Sequence, residues 1–212
     1  MVCRKIVDVF TSSIFLILLF QGLSNAEPAG GLRGRLRVDA SPAEDVVLYL
    51  RDLNRPSASV PPVSVTIRQE KFKFKPKLSL VTVGSTVTFQ NNDFEVHNAK
   101  SDSPENAFDL GMIAPGTSKK TILKNPGLVE LRCRVHSDME GRVFVSPSPF
   151  FMLIEYDGRF ELSGVPAGDY EIHVWHPERG GSDQKGPTVH IGPGMTTVDL
   201  DWKGNTLTLK NH

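Results

Sequence analysis

Cys133, His136 and Met139 place a thiolate, an imidazole and a thioether three residues apart in one short segment, Cys-Arg-Val-His-Ser-Asp-Met. The apolar runs at 128–133 and 141–145 read as strands on either side, so the segment is a tight loop between paired strands. Such a loop can curl three alternating side chains toward one point. Thiolate and thioether are soft ligands and imidazole suits copper, and a trigonal His2Cys set with a weak axial Met is the donor set of blue-copper electron transfer. That set needs a second histidine from elsewhere. His97 is the candidate, because it follows the predicted strand 86–91 in the run Asn-Asn-Asp-Phe-Glu-Val-His-Asn. The plain alternative is a buried Cys133 that acts as a small hydrophobe, beside an exposed His136 and a core Met139.

Cysteine usage bears on this choice. The chain has 2 cysteines, and Cys3 precedes the apolar run 14–20 (IFLILLF), itself preceded by Arg4 and Lys5 and followed by Ser24-Asn25-Ala26. Basic, apolar and small segments in that order form a secretory signal pattern, predicted over 1–26. The apolar run is far short of the roughly 20 residues a spanning helix needs, so no membrane anchor is expected after cleavage. The expected location is exported, either periplasmic or secreted. An exported chain left with Cys133 alone cannot form an internal disulfide, so its thiol is buried, paired between chains or bound to metal. The 24 basic and 24 acidic residues balance, which argues against a nucleic-acid partner.

The elements that must position these residues read as β throughout. Short runs rich in Val, Ile, Phe and Thr occur at 34–38, 46–50, 63–69, 78–83, 86–91, 128–133, 143–145, 159–162, 170–175 and 196–201, separated by Gly, Pro, Asn and Asp. No stretch keeps apolar residues at helical spacing over three turns. The fold class is therefore all-β, with sandwich or barrel architecture. Asp157-Gly158 between two apolar runs predicts a hairpin. The segment 104–117 carries few strand signals and reads as a loop excursion with Phe108 and Leu110 pinned inward. Pro- and Ser-rich breaks at 54–62 and 146–149 mark boundaries.

A resemblance now adds to this reading. Phe74-Lys75-Pro76, Val83-Gly84, Val87-Thr88-Phe89, Asn92-Asp93, His97-Asn98, Pro126-Gly127 and the Cys-x2-His-x2-Met loop resemble a plastocyanin/amicyanin-type cupredoxin. The two-residue gap before Met139 is similar to amicyanin. The resemblance covers roughly 63–146 and implies a Greek-key cupredoxin sandwich over 62–146 that holds one mononuclear copper ion. It also implies His97, Cys133 and His136 as equatorial ligands, Met139 as the axial one, and Asn98 as a side chain tying the two ligand loops together. Residues 157–176 resemble the end of a carboxypeptidase regulatory-like domain, a prealbumin-like β-sandwich. The Gly-rich and Val-rich strands that begin such a domain have their match only at 34–36 and 46–50. That implies a second small sandwich split around the cupredoxin, built from 31–61 and 147–203. The combination is similar to exported proteins labelled as methylamine-utilisation proteins.

Of the other histidines, His173 and His176 fall on opposite faces of a strand and make no chelating pair. His176 before Pro177 is a candidate interface residue at the strand end. No paired carboxylates, Ser-His-Asp pattern or phosphate-cradling glycine loop points to an enzyme. With no His-x-His pair, a trinuclear copper cluster is excluded. Three readings follow: a one-electron carrier served by an unidentified redox partner protein, a copper-handling protein without fast electron transfer, and a structural β-sandwich with a degenerate site.

Overall fold

The computed structural model describes residues 29–54, 60–177, 179 and 183–210. The predicted signal segment lies outside the described residues. Strand β1 (Ala29–Val38) is followed by β2 (Ser41–Pro42), β3 (Val46–Asp52), β4 (Ser64–Gln69), β5 (Phe74–Lys75) and β6 (Leu78–Thr82). Next come β7 (Ser85–Asn91), β8 (His97–Ser101), β9 (Phe108–Ile113), β10 (Ser118–Leu123), β11 (Gly127–Arg132) and β12 (Glu140–Ser146). The remainder is β13 (Phe151–Ile154), β14 (Arg159–Pro166), β15 (Gly168–Trp175), β16 (Gln184–Ile191), β17 (Gly194–Lys203) and β18 (Thr206–Leu209). The protein is all-β; a single 3₁₀ turn, Pro104–Asn106, is the one helical element among the described residues. No helix there is long and apolar enough to cross a membrane.

Strands β4 to β12 form two facing sheets, ordered β10-β7-β4-β5 and β6-β12-β11-β8-β9. Alternation decides which side chains turn inward: β7 buries Ser85, Val87, Phe89 and Asn91 and leaves the residues between them partly or fully in water, as a period of two requires. Ile67, Phe74, Val87, Phe89, Val129 and Val143 are among the side chains that fill the core of this inner sandwich, together with Cys133 and Met139.

The remaining strands form the sheets β14-β1-β17-β18, with β2 on β1, and β13-β3-β15-β16. Strand β1 runs antiparallel to β14 and parallel to β17, and β3 lies between β13 and β15. The chain thus leaves this flank sandwich after β3, builds the inner one, and returns at β13. The continuous run Val-Val-Leu-Tyr-Leu of β3 has a packing reason. Val46, Leu48 and Leu50 enter the flank core, whereas Val47 and Tyr49 face the inner sandwich beside Phe144 and Trp175. A strand buried on both faces carries apolar residues at consecutive positions. At this seam Phe144 lies 5.2 Å from Trp175 and 6.0 Å from Tyr49, ring centre to ring centre.

Two local expectations are corrected. The segment 104–117 is not wholly a loop, because residues Phe108–Ile113 form β9 against β8; Phe108 and Leu110 do pack on the inner core. The Asp157-Gly158 turn does not close a hairpin. β13 pairs with β3 and β14 with β1, so this turn is a corner between two sheets. Both residues take positive φ, 57° and 70°, and a Cβ at Gly158 would run into the Leu36 carbonyl oxygen, so glycine is required there.

Candidate metal centre

The first donor stands at the start of β8. Between β7 and β8 the chain makes a short excursion whose shape is held by Asn91. Its Nδ2 donates to the carbonyls of Glu95 at 2.7 Å and Ile113 at 2.9 Å, and its Oδ1 accepts from the Asp93 amide at 2.9 Å. This delivers His97 to the core with no exposed surface. The other donors come from the connection between β11 and β12. The Met139 amide donates to the His136 carbonyl at 3.1 Å and the Cys133 amide to the Met139 carbonyl at 3.2 Å, which closes that connection into a tight loop. The two ligand segments meet because β8 pairs with β11, Lys100 opposite Arg132.

The result is a convergence of three donors. His97 Nδ1 lies 3.1 Å from His136 Nδ1, and Cys133 Sγ lies 3.9 Å from His136 Nδ1. One ligand atom from each residue fits within 4.8 Å of the others. Donors about 2.0–2.3 Å from a shared ion in a trigonal arrangement lie roughly 3.5–4 Å apart; the sulfur–imidazole separation falls in that range, and the two imidazole nitrogens, a few tenths of an ångström closer, need only a small parting to hold one metal. The donor types, two imidazoles and a soft thiol, fit copper. Met139 is buried at 1% exposure in the same core cluster as Cys133. His136 alone keeps a solvent edge, with 23% of its side chain exposed.

Asn98, Asp93 and Arg134, which surround the donors, are each tied by hydrogen bonds or ion pairs. The Asn98 amide donates to Cys133 Sγ at 3.3 Å. The Asn98 side chain donates to Asp109 Oδ1 at 2.8 Å and the Gly111 carbonyl at 3.0 Å, and its oxygen accepts from the Arg134 amide at 3.4 Å. Arg134 turns outward to an ion pair with Asp109 at 2.8 Å. The Gly111 amide, Asn98 and Arg134 together hold the Asp109 carboxyl below the usual range. His97 Nε2 lies 2.8 Å from Asp93 Oδ2. Burial alone would push the Asp93 carboxyl up, but the Phe72 and Lys71 amides and His97 outweigh it and hold it below its ordinary value. The Phe72 ring stands edge-on to both imidazoles, 5.7 Å from His97 and 4.9 Å from His136.

The structure therefore brings together His97, Cys133 and His136, with Met139 on the same loop and Asn98 bridging the two ligand segments. His176 is placed elsewhere, 6.5 Å from Trp202 of the flank sandwich. Its neighbour Pro177 borders a cleft with Leu128 and Glu130 of the inner sandwich. Sequence reasoning did not single out Asp93 or Phe72 at the site. The one local signal was an aspartate four residues ahead of a candidate ligand, and nothing in the sequence near Phe72 points to a histidine.

No protein-family model matches the chain, and no curated protein matches it. Among solved structures, it is similar to a reduced Cu(I) form of an amicyanin mutant, at 21% identity over 47% of this chain and 98% of that one, with a TM-score of 0.37. It is also similar to a purple cupredoxin from Nitrosopumilus maritimus, at 23% identity over 40% of this chain and 99% of that one, TM-score 0.35. A copper-containing nitrite reductase from Thermus scotoductus SA-01 is 22% identical over 45% of this chain and 25% of that one, TM-score 0.38.

Proposed function

We propose that this chain is an exported type 1 copper protein that carries one electron at a time and is not itself an enzyme. His97, Cys133 and His136 would hold one copper ion, with Met139 as the axial donor. The observation that carries the reading is the meeting of two imidazole nitrogens and one buried sulfur from segments 39 residues apart at the histidines. Bound copper supplies the one-electron change, and the protein supplies binding, orientation and electrostatics.

The residues divide that work. Burial of His97, Cys133 and Met139 keeps water from three of the four donors. The Asn98 amide points a hydrogen bond at the sulfur, which stabilises it as a thiolate. The ties from Asn98 to Asp109, Gly111 and Arg134 hold both ligand segments in one arrangement, as an electron carrier needs in each oxidation state. The exposed edge of His136 is the side on which a redox partner protein would approach. We further propose 62–146 as the copper domain and 31–61 with 147–203 as a regulatory-like sandwich around it; the pairing of β1 with β14 and β17 supports this.

The test is optical. The copper-loaded chain is expected to show an intense visible thiolate-to-copper band, which Cys133→Ser removes while the far-ultraviolet circular dichroism is unchanged. A copper-loaded protein that stays colourless overturns the reading.

A further inference from the structure

Asp93 lies outside every strand, four residues ahead of His97, and its carboxylate gathers three partners. The Lys71 amide donates at 2.6 Å and the Phe72 amide at 2.9 Å, and His97 Nε2 stands at 2.8 Å. An ionised carboxylate only accepts. Nε2 of His97 therefore carries a proton, and in the neutral ring this leaves Nδ1 with its lone pair toward His136 and Cys133. The same carboxylate reaches a second element. Lys71 and Phe72 form the turn between β4 and β5, closed by the Glu70 amide on the Lys73 carbonyl at 3.0 Å. Both take left-handed φ, 55° and 58°, a conformation that persists in non-glycine residues only where the surroundings hold it. The two hydrogen bonds to Asp93 do so, and the held turn sets the Phe72 ring against both imidazoles. Among the described residues the other imidazole has no equivalent, since Glu95 stays 3.6 Å from His136 Nε2, beyond hydrogen-bond length.

We infer that Asp93 is a positioning residue for the copper site: it fixes His97 with Nδ1 bare toward the metal position, and through the 70–73 turn it keeps Phe72 over both imidazoles. The inference rests on the copper reading above. A carboxylate behind a ligating histidine orients the ring and raises its basicity, and removal of such a partner costs about 10–100-fold in metal affinity.

Two measurements on the full chain test it. Nitrogen-15 NMR of the metal-free protein reads the His97 tautomer without any copper; the Nε2–H form is expected, and an Nδ1–H form overturns the inference. Cu(II) affinity of wild type and Asp93→Asn is then measured against a competing chelator. The substitution is expected to weaken binding about 10–100-fold and to move the thiolate-to-copper band, with circular dichroism unchanged. If wild type binds copper and Asp93→Asn matches it within twofold with the same band, Asp93 has no positioning role and the copper reading stands. A wild-type chain that takes up no copper overturns both. If Asp93→Asn does not fold, the wild-type tautomer decides.

Discussion

The backbone amide of Asn98 donates to the sulfur of Cys133 at 3.3 Å, so the residue next to one proposed ligand holds another ligand 35 positions away. The Asn98 side chain continues the same tie, through Asp109, Gly111 and the Arg134 amide. Asn98→Ala keeps the amide bond to sulfur but removes all three side-chain links at a buried position. Each such bond contributes about 0.5–1.5 kcal/mol net, so losing three is expected to cost the variant about 1.5–4.5 kcal/mol. Denaturant midpoints measure the loss, and a broadened visible band of the copper form would show that the two ligand segments have loosened.

Met139 is fully buried, so Met139→Leu conserves volume and costs less than about 1.5 kcal/mol. The proposed equatorial donors are untouched. The visible band is expected to remain, and the reduction potential to rise as the axial donor is lost. Absorption spectroscopy of the copper form checks the first and voltammetry the second; an unchanged potential would deny Met139 its axial role.

Whether an element is legible in the sequence depends on where it sits in its sheet. The Cys133–Met139 loop was legible because its donors are neighbours in the chain and its flanks are central strands. β9, β10, β13, β16 and β18 escaped the strand reading, and each lies at the edge of its sheet. An edge strand faces water along one side and need not alternate. β10 is Ser-Lys-Lys-Thr-Ile-Leu with only Leu123 buried, and its lysines guard the open edge. β8 escaped for a different reason, since three of its four buried residues are polar: His97, Asn98 and Ser101, beside Ala99. Asp93 and Phe72 were not legible because their roles arise from the pairing of β4 with β7, which brings the 70–73 turn over a loop some twenty residues away in the chain.

His173 sits between two carboxylates on the face of β15 that meets the inner sandwich. Nδ1 is 2.7 Å from Asp183 and Nε2 is 2.7 Å from Glu171, and Tyr49 stacks on the ring and donates to Asp183 at 2.7 Å. Both carboxylates only accept, so the ring carries both protons and a positive charge. Burial pushes His173 down, but Asp183 and Glu171 outweigh it and hold its pKa above the ordinary value. A folded value above the unfolded one means this stabilisation is complete below about pH 6.5 and is lost as pH rises through the folded value. Lys185 and His173, working against burial, hold the Glu171 carboxyl down, so its share is lost in acid instead. Unfolding free energy is expected to fall on the alkaline side. His173→Gln should flatten that limb and cost on the order of 2–3 kcal/mol near neutrality, a buried-pair figure discounted for the partly exposed Asp183. Urea titrations across pH measure both.

Phe144 joins the two sandwiches. It is 3% exposed and touches Tyr49 and Trp175 across the seam. Phe144→Ala is expected to cost about 3–5 kcal/mol. If 62–146 and the flanks are separate domains, calorimetry should then resolve two transitions where wild type has one. A single shifted transition would argue for one cooperative unit.

Copper X-ray absorption of the loaded, unaltered chain reads the donor atoms themselves. With one copper per chain, the spectrum is expected to contain one short-bonded sulfur and two imidazole nitrogens. A coordination shell of nitrogen and oxygen with no sulfur would contradict the assignment of Cys133, and with it the account.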